Sequence, residues 1–326
     1  MKIFFLLDFN KKIGWGHLSR CSNLAKHLKN SGISSSLITF SDVLELNIKS
    51  PDSKLLEIFS NNIYKLDSLS SREIALKINK IVEKNILIID HYFLNKDIFF
   101  YVNNPKYIIQ FKDDINDIDL IELENHKNKI IYFLPQSLLP LDLMNRKNIF
   151  SDIEYFPIFP PLINLKKPNE YKNSFENIFM IPGSSGSQFC NSIVDKLSDL
   201  SNFKIFTPQA YDLYNKKVFP INGANGLYDF IYFADLIISA AGNTMLESIF
   251  LEKFCLVFSS NPNQNKLISF LDKKKLIKFL PNIECLHKHD LRNIILKNSN
   301  TPNDKLVRKF NCNKLVSLLL KFILDD

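Results

Sequence analysis

The chain alternates between short, fully apolar runs and longer segments in which apolar residues recur every three or four positions. The short runs are typical of buried strands, and the recurring spacing is typical of amphipathic helices. These runs predict strands at residues 3–7, 35–40, 86–89, 107–111, 129–134, 177–181, 233–239 and 254–258. Because such runs separated by helices indicate parallel sheets covered on both faces, the pattern predicts an α/β protein.

Breaks in this alternation indicate how the chain is organised. Helical spacing follows the first strand until Gly32, and a second helix is predicted over residues 71–82. A proline-rich interval over residues 145–174 has no sustained periodicity, and a second α/β series follows it. The chain is therefore expected to form two Rossmann-like domains, residues 1–160 and 161–326, that face each other across a cleft.

Composition limits the classes of function. The formal charge of +7 comes mostly from scattered lysines without a dense basic block, so we expect no nucleic-acid binding. The five cysteines form no CxxC pair, which indicates neither a disulfide framework nor a zinc site and fits the cytoplasm. No apolar stretch approaches the roughly 20 residues of a membrane span. The amphipathic helix predicted over residues 306–324 is expected to join the core, and the oligomeric state is left open.

A glycine loop carries the strongest sign of chemistry. Gly14 and Gly16 lie between the first strand and the first helix, in a chain with only 8 glycines, and His17 and Arg20 follow them. Backbone N–H groups of such a loop can approach the charged oxygens of a ligand, so the two glycines and Arg20 are expected to bind substrate. An imidazole titrates near neutral pH, so His17 suits a general base. The alternative is that the glycines only allow a tight turn and that His17 caps the helix.

The carboxyl ends of the predicted strands supply further polar side chains. In parallel sheets the residues just beyond these ends line the ligand crevice. Asp8 follows the first strand, and we expect it to be catalytic, because it can orient His17 or a water molecule. Asp90 and Tyr92 follow a later strand and are expected to bind substrate. The carboxylates at residues 113–114 are interpreted as a turn rather than a metal site.

Two strand-to-helix loops in the second half can hold a diphosphate, because each brings backbone N–H groups and a helix dipole to one place. Glu247 lies about one turn into the helix after the second loop, where a carboxylate can accept both hydroxyls of a ribose. The alternatives are ordinary turns, a solvent-exposed glutamate favoured by the helix dipole, and a ligand-free cap at residues 264–265. The expected substrate-binding residues are Gly183, Ser184, Ser185, Gly242, Asn243, Thr244, Glu247, Gln264 and Asn265.

Four segments in this order resemble one enzyme family: residues 13–21, 88–92, 111–114 and 234–240. They are similar to the UDP-2,4-diacetamido-2,4,6-trideoxy-β-L-altropyranose hydrolases of pseudaminic acid biosynthesis. More distantly, they resemble the GT-B glycosyltransferase that attaches N-acetylglucosamine to lipid I. The Gly-Trp-Gly-His block with Arg20 and Cys21 is the most specific part. The last segment is shared with glycosyltransferases, so it indicates nucleotide-sugar binding rather than the reaction.

The resemblance implies a GT-B-like fold in which the C-terminal domain binds UDP and the sugar extends to the N-terminal domain. It also implies that His17 is the general base for a water molecule that attacks the anomeric carbon with inversion, without a metal or cofactor. The implied partner is a UDP-sugar, and the implied activity is hydrolysis to UDP and a free diacetamido sugar for nonulosonic acid synthesis.

The chain departs from the family's pattern at two places. Leu6 and Leu7 precede Asp8, where the family commonly has Arg before this aspartate. Residues 181–185 read Ile-Pro-Gly-Ser-Ser instead of Met-Gly-Gly-Thr/Ser-Asp. These changes keep a backbone anion site but leave the sugar open, and they admit a GT-B glycosyltransferase that uses a UDP-sugar donor. A non-catalytic nucleotide- or sugar-binding module is a third interpretation.

Overall fold

The computed structural model divides into two compact units. One is formed by Met1–Pro160 together with Phe310–Asp326, and the other by Pro161–Lys309. The last helix therefore belongs to the first unit, whereas the sequence predicts a second domain, residues 161–326, that includes this helix. The described residues are 1–9, 16–41, 53–59, 62–67, 70–91, 94, 96–113, 129–135, 148–151, 155–158, 160–163, 165, 176–183, 187–198, 203–207, 218–221, 224–281, 287–297 and 312–324.

A seven-stranded parallel sheet forms the centre of the first unit. Its strands are β1 (Ile3–Leu7), β2 (Ser35–Thr39), β3 (Ile63–Lys65), β4 (Ile86–Asp90), β5 (Tyr107–Phe111), β6 (Lys129–Leu134) and β7 (Ile149–Ser151). Their order across the sheet is β3-β2-β1-β4-β5-β6-β7. Since β1 pairs with β4 as far as Leu7 opposite Asp90, the carboxyl ends of these two central strands lie side by side.

Helices cover both faces of this sheet because its central strands are apolar on both sides. The odd-numbered residues of β1 pack with α1 in one core cluster, and the even-numbered residues pack with α3 in another. The helix α1 ends just before Gly32, whose φ of +80° favours glycine. The helix α3 begins at a capping box formed by Ser70 and Glu73. The helices of this part are α1 (Gly16–Asn30), α2 (Ser53–Leu56), α3 (Ser71–Val82) and, at the boundary with the second unit, α4 (Pro160–Ile163).

A six-stranded parallel sheet forms the centre of the second unit, in the order β10-β9-β8-β11-β12-β13. The central strand β11 is buried along its whole length and pairs with β8 and β12. The strands are β8 (Asn177–Ile181), β9 (Lys204–Thr207), β10 (Val218–Pro220), β11 (Leu236–Ala240), β12 (Phe254–Phe258) and β13 (Lys278–Phe279). The helices are α5 (Ser187–Ser198), α6 (Ala224–Phe233), α7 (Asn243–Phe250), α8 (Asn265–Lys273) and α9 (Lys288–Lys297).

The last helix, α10 (Cys312–Leu324), packs on the first unit. Leu315 and Leu319 belong to the core cluster that contains α1 residues, and the ring of Phe322 lies 5.3 Å from that of Tyr107 in β5. An amphipathic pattern reveals an apolar face but not which sheet the face covers. The structure therefore corrects the expectation that this helix completes the second domain.

These two parallel sheets confirm the prediction of an α/β fold. Every strand predicted from an apolar run is present, and all but one have ends within one residue of the predicted ones. The exception is β11, which begins at Leu236, three residues after the predicted start. Within the part of the chain that the structure describes, no helix has both the length and the apolar character needed to cross a membrane.

Candidate active site

The first candidate site lies at the carboxyl ends of β1 and β4. The chain leaves β1 for the helix α1, whose first turn carries His17, and β4 ends in Asp90. Because the two strands are neighbours, both residues reach the same edge of the sheet. Both are buried, with 5% of His17 and 1% of Asp90 exposed. The topology thus brings together two residues that lie 73 positions apart in the chain.

A short hydrogen bond joins these two residues. Nδ1 of His17 lies 2.5 Å from Oδ1 of Asp90. An ionised carboxylate only accepts hydrogen bonds, so the proton belongs to Nδ1 of the ring. In a neutral imidazole the lone pair is then on Nε2. This arrangement is that of a histidine base whose tautomer and orientation are fixed by a carboxylate.

Arg20 holds the same carboxylate from the next turn of α1. Its Nε donates to Oδ2 of Asp90 over 2.9 Å, and its Nη2 donates to Oδ1 over 2.6 Å, a bidentate contact that fixes the carboxylate plane. Its Nη1 donates to Oδ1 of Asp113 over 3.0 Å, and the guanidinium lies 5.2 Å from the Phe111 ring centre. Arg20 was expected to bind substrate, but these contacts make it a buried support for Asp90.

Asp90 is ionised in this setting. Burial alone would raise its pKa, but the charges of Arg20 and His17, and their hydrogen bonds, bring the pKa well below the usual range for aspartate. Sγ of Cys21 donates to Oδ2 of Asp90 over 3.5 Å. Burial, followed by the negative charge of Asp90, raises the pKa of the Cys21 thiol well above its ordinary value. The site therefore combines an imidazole, a carboxylate, a guanidinium and a neutral thiol.

Asp8 has a different set of partners from the expected one. Its Oδ1 accepts hydrogen bonds of 2.8 to 3.2 Å from backbone and hydroxyl groups of residues 39–41. Its Oδ2 lies 3.1 Å from Nε2 of His91. The carboxylate that contacts His17 is that of Asp90, and this corrects the expectation that Asp8 orients the ring. A role for Asp8 toward a water molecule stays a prediction.

His91 was not among the predicted site residues. It follows β4 directly, and its ring lies edge-on to that of Phe40, with 5.9 Å between the ring centres. Burial alone would raise the pKa of Asp8, but the hydrogen bond and charge of His91, with the Phe40 N–H and the Thr39 hydroxyl, lower it below its ordinary value. Two signals in the sequence pointed to this histidine: its position one residue beyond a strand end, and its place in the segment 88–92 that carries the family resemblance.

The second unit offers a candidate anion site at the end of β11. Gly242 is the N-cap of α7 and has no side chain to cap the helix, so the N–H groups of the first turn, including those of Asn243 and Thr244, can meet an anion. Gly183, just after β8, has a φ of +71°, which favours glycine. A Cβ at Gly183 would lie 3.8 Å from Cβ of Ala240. The two predicted phosphate loops therefore adjoin.

Two polar side chains near this loop are buried. Glu247 is only 3% exposed, so the alternative of a solvated glutamate in the first turn of α7 is wrong. Ser239 in β11 is 0% exposed, and its hydroxyl has no hydrogen-bond partner among the described residues. A buried hydroxyl without a partner costs free energy. Glu247 and Ser239 thus give this edge of the sheet both acceptor and donor groups.

The other predicted site residues fall into two groups. Oε1 of Gln264 accepts hydrogen bonds from the N–H and hydroxyl of Ser260 over 2.9 and 3.2 Å, within the turn that precedes the helix. Gln264 is the N-cap residue of α8, but its side chain makes no capping hydrogen bond. Asn265 begins α8 and Gly16 begins α1, and both are exposed. In the described ranges, no group of three or more His, Cys, Asp or Glu side chains is arranged to hold a metal ion. Outside the described residues lie Gly14, Tyr92, Ser184 and Ser185.

Comparison with known proteins places the fold. No protein-family model matches the sequence, and no curated protein matches it. Among solved structures, MurG of Acinetobacter baumannii is 14% identical with a TM-score of 0.65, covering 98% of this chain and 100% of its own. The UDP-GlcNAc 2-epimerase of Neisseria meningitidis, bound to UDP-GlcNAc, is 12% identical with a TM-score of 0.59, and the match covers 100% of both chains. The spinosyn rhamnosyltransferase SpnG is 11% identical with a TM-score of 0.61, covering 98% of this chain and 100% of its own.

These neighbours match nearly the whole length of the chain, so both units take part in the similarity. At such low identities the likeness concerns the fold alone, and the chemistry depends on the residues described above. The GT-B part of the predicted fold class is confirmed: this chain has the GT-B fold.

Proposed function

We propose that this protein is a UDP-sugar hydrolase that cleaves the anomeric C–O bond of a UDP-diacetamido-trideoxyhexose with inversion. The observation that carries the proposal is the buried imidazole of His17, held 2.5 Å from Asp90 and backed by Arg20. The GT-B fold supports a nucleotide-sugar substrate, since one structural neighbour is an epimerase bound to UDP-GlcNAc. The class of sugar and the choice of water as acceptor follow from the sequence resemblance.

The first unit supplies the base for this reaction. Nε2 of His17 takes a proton from a water molecule while the water oxygen forms a bond to the anomeric carbon. The bond between that carbon and the phosphate oxygen breaks, and UDP leaves with the electron pair. Attack on the face opposite the leaving group inverts the configuration. Asp90 stabilises the imidazolium that forms and does not itself take the proton.

We assign UDP to the second unit. The first-turn N–H groups of α7 and the adjoining backbone at Gly183 would neutralise the diphosphate. Stabilisation of charge on the leaving group by such donors replaces a protein acid. Glu247, one turn further along α7, would accept the ribose hydroxyls, which are good donors to a carboxylate withdrawn from water.

The proposal is tested with a panel of UDP-sugars that includes a UDP-diacetamido-trideoxyhexose, without and with EDTA. We expect release of UDP and a free sugar of inverted configuration, followed by NMR, with no acceptor present. Release that requires a hydroxyl acceptor would identify a glycosyltransferase instead. Binding of UDP without release from any donor would identify a binding module.

Glu247→Gln is expected to weaken UDP binding by about 10- to 100-fold, because a hydrogen bond to a charged group contributes about 1.5–3 kcal/mol and each 1.4 kcal/mol is tenfold in Kd. Glutamine keeps the shape of the side chain and one acceptor but removes the charge that the ribose hydroxyls meet. The measurement is the Kd for UDP by isothermal titration calorimetry.

The matched control is Glu252→Gln, the same substitution two residues beyond the end of α7 and away from its N-terminus. It is expected to leave the Kd unchanged. An unchanged Kd for Glu247→Gln, in a protein whose thermal unfolding matches that of Glu252→Gln, would remove Glu247 from the nucleotide site.

A further inference from the structure

Asp90 and His91 are consecutive residues that hold the same part of the chain at two separate points. Asp90 contacts His17 and Arg20 in the first turns of α1. His91 contacts Asp8, which follows β1 directly. The end of β4 is thus attached both to the strand and to the helix that flank the glycine loop.

The two attachments lie on opposite faces of the sheet. Side chains alternate between faces along a strand. The even-numbered residues of β4 belong to the core cluster on the α1 side, and the odd-numbered residues belong to the cluster on the α3 side. Asp90 continues the first series. His91 continues the second, and it contacts Phe40, which packs against the α3-side cluster.

Asp8 is a rigid anchor for His91. Its Oδ1 receives four hydrogen bonds from residues 39–41, at the end of β2. Ser41 is held in turn, because its Oγ accepts a hydrogen bond of 3.0 Å from the N–H of Phe9. The carboxylate therefore ties together the carboxyl ends of β2, β1 and β4, three neighbouring strands. Since Asp8 is ionised, Nε2 of His91 donates the 3.1 Å hydrogen bond.

We propose that His91 is a positioning residue: its hydrogen bond to Asp8 holds the end of β4 so that Asp90 keeps the His17 ring in place. Asp90 is the last residue of β4, so its preceding peptide is held by the sheet. The peptide that follows it is held by the side chain of His91. Loss of that hydrogen bond frees one side of Asp90 and lets the carboxylate shift relative to Nδ1 of His17.

Two variants separate the hydrogen bond from the bulk of the ring. His91→Phe keeps an aromatic ring against Phe40 but has no donor for Asp8. His91→Gln loses the ring but offers an amide N–H at a similar distance along the side chain. The matched control is His27→Gln, which removes a second buried histidine of α1, one that contacts the carbonyl oxygen of Ile158 rather than the site.

The direct readout is ¹⁵N and ¹H NMR of the histidine rings, which needs no substrate. The Nδ1 proton of His17 in its 2.5 Å hydrogen bond to Asp90 is expected far downfield, and its loss in His17→Gln assigns it. We expect this resonance to move upfield and exchange faster with solvent in His91→Phe, and to return in His91→Gln. It should be unchanged in His27→Gln.

An unchanged His17 resonance in folded His91→Phe would overturn the proposal. Failure of His91→Gln to restore the signal would equally overturn it, because the donor would not be what matters. If His91→Phe does not fold, the same Nδ1 proton resonance of His17 is measured in Asp8→Asn, which removes the charged acceptor. The upfield shift expected for His91→Phe is then expected for Asp8→Asn.

A second experiment, a kinetic one, rests on the proposed function. Misplacement of a catalytic group by about 1 Å can cost roughly 100-fold in rate, so we expect kcat for UDP release to fall by about 10- to 100-fold in His91→Phe with KM unchanged. His91→Gln should recover most of the loss. If no UDP-sugar is turned over at all, the proposed function fails while the NMR result still decides the role of His91.

Discussion

Replacement of His17 by alanine is expected to lower the turnover of a UDP-sugar by about 10²- to 10⁴-fold, the usual contribution of a positioned general base. UDP binding should be retained, because the nucleotide is assigned to the second unit. The physical reason is that water is a weak nucleophile at neutral pH, and the substitution removes the imidazole that Asp90 orients. The measurements are kcat for UDP release and the Kd for UDP.

His27→Ala is the matched control for this substitution. It also removes a buried histidine from α1, and burial lowers the pKa of His27, so this ring is neutral near pH 7. Its Nε2 contacts the carbonyl oxygen of Ile158 over 2.7 Å, which gives it a structural role. We expect near-normal kcat in His27→Ala. Equal kcat in the wild type and in His17→Ala would show that water is activated elsewhere.

The members of the first-unit site were largely predictable, but their pairing was not. His17, Arg20 and Asp90 follow from the glycine loop and from the rule that ligands meet the carboxyl ends of parallel strands. That rule predicts at which edge of the sheet a residue lies, but not the face of the sheet to which its side chain points. Leu7 and Phe9 pack on the α1 side, so Asp8 between them points to the other face, away from the side on which Asp90 meets His17.

The same limit explains which elements the sequence predicted. Central strands such as β1 and β11 are buried on both faces and therefore read as continuous apolar runs. The edge strands β3 and β13 are short and only partly buried, so they have no such run. The placement of α10 also depends on a contact between distant parts of the chain, with β5 and α1. Local patterns carry no information on such contacts.

Asp90→Asn is expected to reduce kcat by about 10³- to 10⁴-fold, comparable to the loss when the orienting carboxylate of a Ser-His-Asp triad is changed to asparagine. The amide nitrogen of asparagine can donate to Nδ1 of His17. That contact moves the ring proton to Nε2, where the proposed base needs its lone pair. Because the pKa of Asp90 is held well below its usual range, the wild-type residue is a carboxylate throughout the neutral pH range. The measurement is kcat across pH 6 to 9, with the ring tautomer followed by ¹⁵N NMR.

Asp113→Asn separates this effect from a general loss of charge in the network. Asp113 contacts Arg20 over 3.0 Å, and the hydrogen bonds described for it do not include His17. Its replacement should therefore weaken the support of Asp90 and leave the tautomer intact, with a loss in kcat far smaller than that of Asp90→Asn. Removal of one partner of a buried ion pair costs about 3–5 kcal/mol, so both variants are compared at a temperature where each is folded. Equal losses in the two variants, with the Nδ1 proton retained in Asp90→Asn, would mean that the carboxylate acts through the charge of the network and not by fixing the tautomer of His17.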